Sequence, residues 1–315
     1  MHEQRSRNPA SSHVDTAFHI ISVFGLTVRA IGTAPLIFVQ LLGGLGNQMF
    51  QYAAGRALAE RHRVPLRMDL RQFEDRRSTN TPRRYALAPF SINASVASSS
   101  ELIANTLQRW LRIASVLRER GHAFNPQLTN AGPRTLLVGY WQSERYFSAI
   151  APIIRREFTV RSLPSAKDAS LLIEMGQSHA VSVHVRRGDY VSNAAANAFH
   201  GLMPLNYYHE AATHILRNDP DARFYVFSDD PAWAREYLNL PGKTTIVDHH
   251  GPDDGHEDLR LMRACQHHII ANSSFSWWGA WLSERPGKQV IAPRQWFRDL
   301  SIDTSDLCPP EWIRL

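Results

Sequence analysis

Apolar residues along this chain fall into short runs separated by stretches of helical periodicity. Pro35-Leu36-Ile37-Phe38-Val39-Gln40-Leu41 has the pattern of a buried strand. Gly43-Gly44-Leu45-Gly46 then predicts a tight turn. Over 47–61 the period becomes helical, with Met49, Ala53, Ala57 and Leu58 on one side, and 64–70 predicts the next strand. The second half is more regular. Strands are expected at 181–185, 223–227, 244–247, 268–271 and 289–292, with helices at 206–217, 231–238, 257–265 and 276–284. Alternation of this kind implies a parallel, doubly wound sheet. Residues 91–165 are less regular: 101–120 and 143–158 predict helices, 135–140 a short strand, and 162–168 a linker containing Pro164. We therefore expect an α/β protein with two Rossmann-like domains facing across a cleft, 36–165 and 166–315. Residues 1–35 are set aside as a variable extension, polar and disordered at its start.

Composition narrows the class. A chain of 315 residues is long enough for two ordinary domains. The formal charge is +6, and the basic residues are nearly all Arg, with lysine only at 167, 243 and 288. Such a balance suits anionic partners. The densest basic run, Arg61 to Arg84, has few interleaved aromatics and matches no nucleic-acid module. It is expected to be a solvated face, with an acidic or membrane-surface contact as the sharper alternative. Two cysteines, Cys265 and Cys308, make neither a disulfide framework nor a metal set, and a reducing compartment is expected. The histidines include the pairs His249-His250 and His267-His268 but no HExxH, so no metal site is assigned. The apolar run at 17–28 is too short for the roughly 20 residues a bilayer requires.

Chemistry concentrates where predicted strands end. His184-Val185-Arg186-Arg187-Gly188-Asp189-Tyr190 follows the strand at 181–185. In open α/β sheets that edge binds ligands. Guanidinium forks match phosphate oxygens, so Arg186 and Arg187 can grip a diphosphate without a metal. A solvated arginine pair at a strand end is the plainer alternative. Gly43-Gly44-Leu45-Gly46-Asn47-Gln48 opens a helix, and amides at a helix start attract phosphate. Gly44 and Gly46 also fit the first two glycines of a dinucleotide fingerprint, with Asp69 spaced for a ribose, but Met49 occupies the third glycine position. Asp229 and Asp230 suit a guanine edge, a ribose, a metal or simple helix capping. Asn272-Ser273-Ser274-Phe275-Ser276 is a polar loop entering a helix, with Trp277, Trp278 and Trp281 expected in the core.

Four motifs in order, Gly43-Gly44-Leu45-Gly46-Asn47-Gln48-Met49-Phe50-Gln51, His184 to Tyr190, Tyr225-Val226-Phe227-Ser228-Asp229-Asp230 and Ala271 to Leu282, resemble the α-1,2-fucosyltransferase family of bacterial type, glycosyltransferase family 11. The resemblance runs from about Phe38 to about Pro293. It implies a GT-B-type fold and an inverting, metal-independent transfer of L-fucose from GDP-fucose to the 2-hydroxyl of a galactose. It places Arg186 on the donor diphosphate with Arg187 in support, and Asn47 near the phosphates and the reacting centre. Gly44, Gly46, Asp229, Asp230 and residues Asn272, Ser273, Ser274, Phe275 and Ser276 are implied donor contacts. For the acceptor proton, Asp189 and His184 share the arginine loop. No cofactor beyond the GDP-fucose substrate and no nucleic-acid partner is expected. The acceptor is expected to be a galactose-terminated lipopolysaccharide or capsule precursor, the enzyme cytoplasmic with a peripheral contact to the inner membrane. Another nucleotide-sugar transferase, a non-enzymatic nucleotide or nucleic-acid binder and a dehydrogenase remain the alternatives.

Overall fold

The computed structural model describes residues 34–74 and 83–315. The first half is built on a five-stranded parallel sheet. Its strands are β1 (Ile37–Gln40), β2 (Leu66–Asp69), β3 (Ser95–Val96), β4 (Ser115–Arg118) and β5 (Thr135–Val138), in the order β3-β2-β1-β5-β4. Val39 stands opposite Met68 on one side and Leu137 on the other, and all three are buried. Both faces of the central strands are covered, which is why β1 reads as a continuous apolar run and not as an alternation. Between β1 and β2 runs α1 (Leu45–His62), which ends at Arg63 in the left-handed conformation with Arg61 and His62 in its last turn.

The structure corrects three expectations. The helix expected over 101–120 stops early: α2 (Ser99–Trp110) starts with a Ser98/Glu101 capping box and ends at Leu111. Arg112 then adopts a φ of 59°, and β4 follows as an edge strand against β5. A left-handed arginine leaves no sequence mark of the kind glycine would, so the helical period reads on through the break. The helix expected over 143–158 is divided into two 3-10 turns and α3 (Ala151–Glu157). The expected linker at 162–168 already contains the start of α4 (Ala166–Gln177), capped by Ser165.

A second parallel sheet has six strands: β6 (Ala180–Val185), β7 (Arg223–Ser228), β8 (Thr244–Val247), β9 (His267–Ile269), β10 (Val290–Ala292) and β11 (Ile313–Arg314). Their order is β11-β10-β9-β6-β7-β8. β6 is buried along its whole length, with Val183 between Val226 and Ile269. The short helices α5 (Gly188–Ser192) and α6 (Ala194–His200) follow β6 and precede α7 (Leu205–Asn218). Then come α8 (Pro231–Tyr237), α9 (Gly255–Ala264) and α10 (Ser274–Leu282). Lys288 donates to the Ala280 and Ser283 carbonyls at the end of α10, where a cation complements the helix dipole.

The two halves share a core. Phe50 of α1 lies 4.5 Å from Trp277 and 4.9 Å from Trp278, ring centre to ring centre, and Phe147 stacks on Trp278. Each indole N–H finds an acceptor: Trp277 on Leu307, Trp278 on Gly46 and Trp281 on Glu144. The tryptophans are therefore core, as expected. α1 is covered by the first sheet on one side and by α10 on the other, so it has no polar face along most of its length. Two parallel α/β sheets joined in this way give the GT-B-type architecture that the resemblance implies.

One buried polar network supports the first half. Glu157 accepts from the Tyr52 hydroxyl and from Arg56 at 3.1 Å, and the Tyr52 oxygen accepts from Asn93 N–H at 2.9 Å. Burial, and then the adjoining carboxylate, push the Tyr52 pKa upward, so the phenol stays protonated as a donor. Tyr52→Phe is expected to destabilise the protein by about 1–3 kcal/mol, because it leaves a buried carboxylate oxygen and an amide short of a partner. Urea unfolding would show this as a lower midpoint with an unchanged slope.

Candidate active site at the meeting of two sheet edges

The second sheet reverses its strand order between β6 and β9, and loops leaving adjacent strands at such a point diverge and open a crevice at the C-terminal edge. In the first sheet β5 lies beside β1, on the side away from β2. The Gly43–Asn47 loop follows β1, and Gly139-Tyr140-Trp141-Gln142 follows β5. The arginine loop follows β6, and Asn272–Ser276 follows β9.

The four loops meet. Asn47 Oδ1 accepts from Gln142 Nε2 at 2.8 Å and from Ser274 Oγ at 2.7 Å, joining the edges of the two sheets through one oxygen. Gly46 packs directly on the Ser274–Phe275 peptide. A Cβ at Gly46 would stand 2.5 Å from the Phe275 nitrogen and from the Ser274 carbonyl carbon, so only glycine fits. The Phe275 ring then lies 5.3 Å from the His184 ring on β6. Gly44 and Ser273 hold the N-cap positions of α1 and α10, and neither helix start has a side-chain capping bond. Helix starts left in this way present free amide donors.

Arg186 is held from two sides. Its guanidinium donates to Asp189 Oδ1 at 2.5 Å and pairs with Asp229 Oδ2 at 2.8 Å. Burial opposes its charge, but Asp229 and Asp189 outweigh that cost and its pKa is raised. The arginine is thus permanently charged and held in position. Arg187 N–H donates to Asp229 Oδ1 at 2.7 Å. Its guanidinium meets Asp230 at 3.2 Å and lies 3.8 Å above the Trp233 ring. Asp230 also caps α8 by accepting from Trp233 N–H. Both carboxylates implied as donor contacts are therefore already engaged in setting the arginines. At Gly188 a Cβ would meet Asp229 Oδ2 at 2.5 Å, so a larger residue would displace the carboxylate that holds both arginines.

The remaining expected residues take varied places. Asn272 is buried, with its side-chain amide donating to the carbonyls of His200, Gly201 and Trp296, and its backbone carbonyl accepts from the Tyr190 hydroxyl. It braces the loop. Ser276 is buried on its own helix turn. His184 is buried, and burial followed by the Arg186 charge lowers its pKa to about 3. It is neutral near pH 7 and a weak base. Asp189 accepts from Arg186 through one oxygen and from Arg83 through the other. The ribose contact offered by the dehydrogenase reading is not available, since Asp69 is fully buried and bound by Arg71 through both carboxylate oxygens.

Sequence reasoning did not identify Gln142, Arg83 or Glu119. Gln142 sits after an uninformative aromatic pair. Arg83 is hidden in the basic run, which the structure divides among separate partners. Arg61 donates to the Thr129 carbonyl, Arg67 pairs with Glu101, Arg71 with Asp69, Arg83 with Asp189 and Arg84 with Asp253. Arg76 and Arg77 lie outside the described residues. The run is not one solvated face. Glu119, at the end of β4, accepts from Tyr140 and Trp141 N–H and fixes the loop that carries Gln142. No helix among the described residues is long and apolar enough to cross a membrane.

With this geometry in view, comparison with known proteins is direct. The sequence profile described as Glycosyl transferase family 11 matches residues 20–315. The chain belongs to glycosyl transferase family 11. It is 33% identical to an alpha-1,2-colitosyltransferase of Escherichia coli over 89% of this chain and 99% of the relative. It is 30% identical to the O-antigen biosynthesis glycosyltransferase WbnK of the same organism, over 87% and 99%. A galactoside alpha-(1,2)-fucosyltransferase 2 of Rattus norvegicus is 30% identical over 78% of this chain and 66% of its own length. This family member is therefore a glycosyltransferase, and its strand-edge loops are the place to look for chemistry.

Removing a glycine at the junction tests the geometry. Gly46→Ala is expected to push α1 away from α10, lower the melting temperature and reduce turnover at least tenfold. Gly44→Ala, where a Cβ meets nothing within 4 Å, serves as the control and should stay near wild type in stability. Thermal melts and initial rates on both variants check this.

Proposed function

We propose that this chain transfers L-fucose from GDP-fucose to the 2-hydroxyl of a terminal galactose, with inversion and without a metal cofactor. The observation that carries the reading is Arg186. It is a charged, mostly buried guanidinium, oriented by Asp189 and Asp229, in a loop of the same junction that holds two helix starts without a side-chain cap. That is a fixed cradle for a departing diphosphate. In the reaction the bond from the sugar C1 to the phosphate oxygen breaks and a bond from C1 to the acceptor oxygen forms. Negative charge grows on GDP, and donors already in place stabilise it without reorganising.

The proton of the acceptor hydroxyl has no strong base at hand. His184 is too acidic as its imidazolium, and Asp189 is shared between two guanidinium groups. These facts favour a loose transition state in which the sugar–phosphate bond is largely broken before the proton leaves. The acceptor reaches the reacting sugar from the side of Tyr140 and Gln142, the loop that Glu119 clamps. We read the acceptor as a lipid-linked surface-glycan precursor, with the enzyme working beside the inner membrane.

A second reading is transfer of colitose, the sugar that lacks the 3-hydroxyl of fucose, and the colitosyltransferase relative supports it. A donor panel separates the two. GDP release is measured in EDTA from GDP-fucose, GDP-colitose and GDP-mannose, with lactose or N-acetyllactosamine as acceptor. Acceptor-stimulated release from GDP-fucose is expected, falling about a hundredfold or more in Arg186→Ala. Release from GDP-colitose alone would overturn the sugar, and turnover that appears only on adding Mg(II) or Mn(II) would overturn the metal-free mechanism.

A further inference from the structure

Away from the arginine loop, three ligand atoms converge on one point. Asp168, in the first turn of α4, directs Oδ1 at two consecutive imidazoles in the loop after β8. His249 Nε2 is 2.8 Å away and His250 Nε2 is 3.0 Å away. All three atoms lie within 4.8 Å of one another. The cluster is well shielded: the Asp168 side chain is 2% exposed, His250 9% and His249 16%.

The surroundings resemble the outer layer of a metal centre. Ser165 Oγ donates to the second Asp168 oxygen at 2.7 Å. The far nitrogen of His250 meets Asp258 Oδ1 at 2.7 Å. A carboxylate behind a ligating imidazole fixes its tautomer and raises its basicity. His249 Nδ1 is buried and has no hydrogen-bond partner among the described residues.

Hydrogen bonding alone satisfies this cluster poorly. Both imidazoles must donate into one carboxylate oxygen. His250 also lies between two carboxylates, Asp168 at 3.0 Å and Asp258 at 2.7 Å. A divalent ion between the three atoms would accept a lone pair from each Nε2 and from Asp168 Oδ1, leaving the outer nitrogen of His250 for Asp258.

We propose that Asp168, His249 and His250 form a binding site for a divalent transition-metal ion of the zinc class. Two imidazoles and one carboxylate are a donor set that zinc, cobalt and nickel favour over magnesium or calcium. Three protein ligands leave a position for water. The ion braces and does not react. It pins the 248–254 loop to α4, and that loop carries Asp253, the partner of Arg84 in the first half. The loop ends at Gly255, where a Cβ would stand 3.3 Å from the Phe275 ring. A metal here stiffens one wall of the junction from outside the diphosphate cradle.

The test uses the full-length, untagged chain stripped with a chelator and titrated with Co(II), followed by its visible absorption and by displacement with Zn(II). Wild type is expected to bind one Co(II) with the intense bands of a low-coordinate nitrogen–oxygen site and to melt at a higher temperature with Zn(II). His249→Gln keeps an amide donor for Asp168 and should weaken Co(II) binding at least tenfold. Asp258→Asn leaves all three ligands in place and should weaken it about 10–100-fold through the outer layer. The histidines near the N-terminus, His2, His13 and His19, are common to every variant, so the differences isolate this site. Near-ultraviolet circular dichroism confirms that the variants are folded. No cobalt spectrum in wild type, or equal affinity in wild type and both variants, overturns the proposal.

Discussion

Everything in this molecule depends on how closely two helix starts approach each other. Gly46 in α1 rests against the Ser274–Phe275 peptide of α10 with no room for a methyl group. That approach brings the Trp278 indole to the Gly46 carbonyl and the Ser274 hydroxyl to Asn47. The loops that follow β1, β5, β6 and β9 come together beside that contact. The aromatic packing behind it, Phe50 and Phe147 against the tryptophans, contributes much of the shared core, and aromatic pairs of this kind add about 0.5–1.5 kcal/mol each beyond their burial.

A second constraint is electrostatic. Arg186 is mostly out of water, and its charge survives because Asp189 and Asp229 stand on either side. Burying a guanidinium is costly unless it is paired with good geometry. Those carboxylates hold the guanidinium in one orientation from two sides. Gly188 is part of the same arrangement, since the backbone must come close enough for Asp229 to reach both arginines.

Much of this was legible in the residues. β1, α1 and the strand–helix alternation of the second half follow directly from apolar periodicity, and the glycine and arginine loops fall at strand ends as that alternation requires. Break points marked by other residue types were not legible. Arg112 turns the chain with a left-handed backbone, and β4 emerges from what reads as helix. The site was visible as motifs but not as a division of labour. Asn272 has the composition of a ligand contact and works as a brace, because its amide faces three buried carbonyls and not the crevice. Gln142, Glu119 and Arg83 act through partners nearly a hundred residues away or in a neighbouring strand, and no local pattern announces such pairings.

The ion pairs between the halves have a consequence for how such a protein can change over evolutionary time. Arg83 completes the charge around Asp189, Arg84 reaches Asp253, and Gly46 supplies the acceptor for an indole of the other half. The second half is therefore not self-sufficient. Grafted onto a different first half, its arginine loop would lose the Arg83 partner of Asp189, and its core would hold an indole N–H without an acceptor. The two sheets would have to be exchanged together, as a unit.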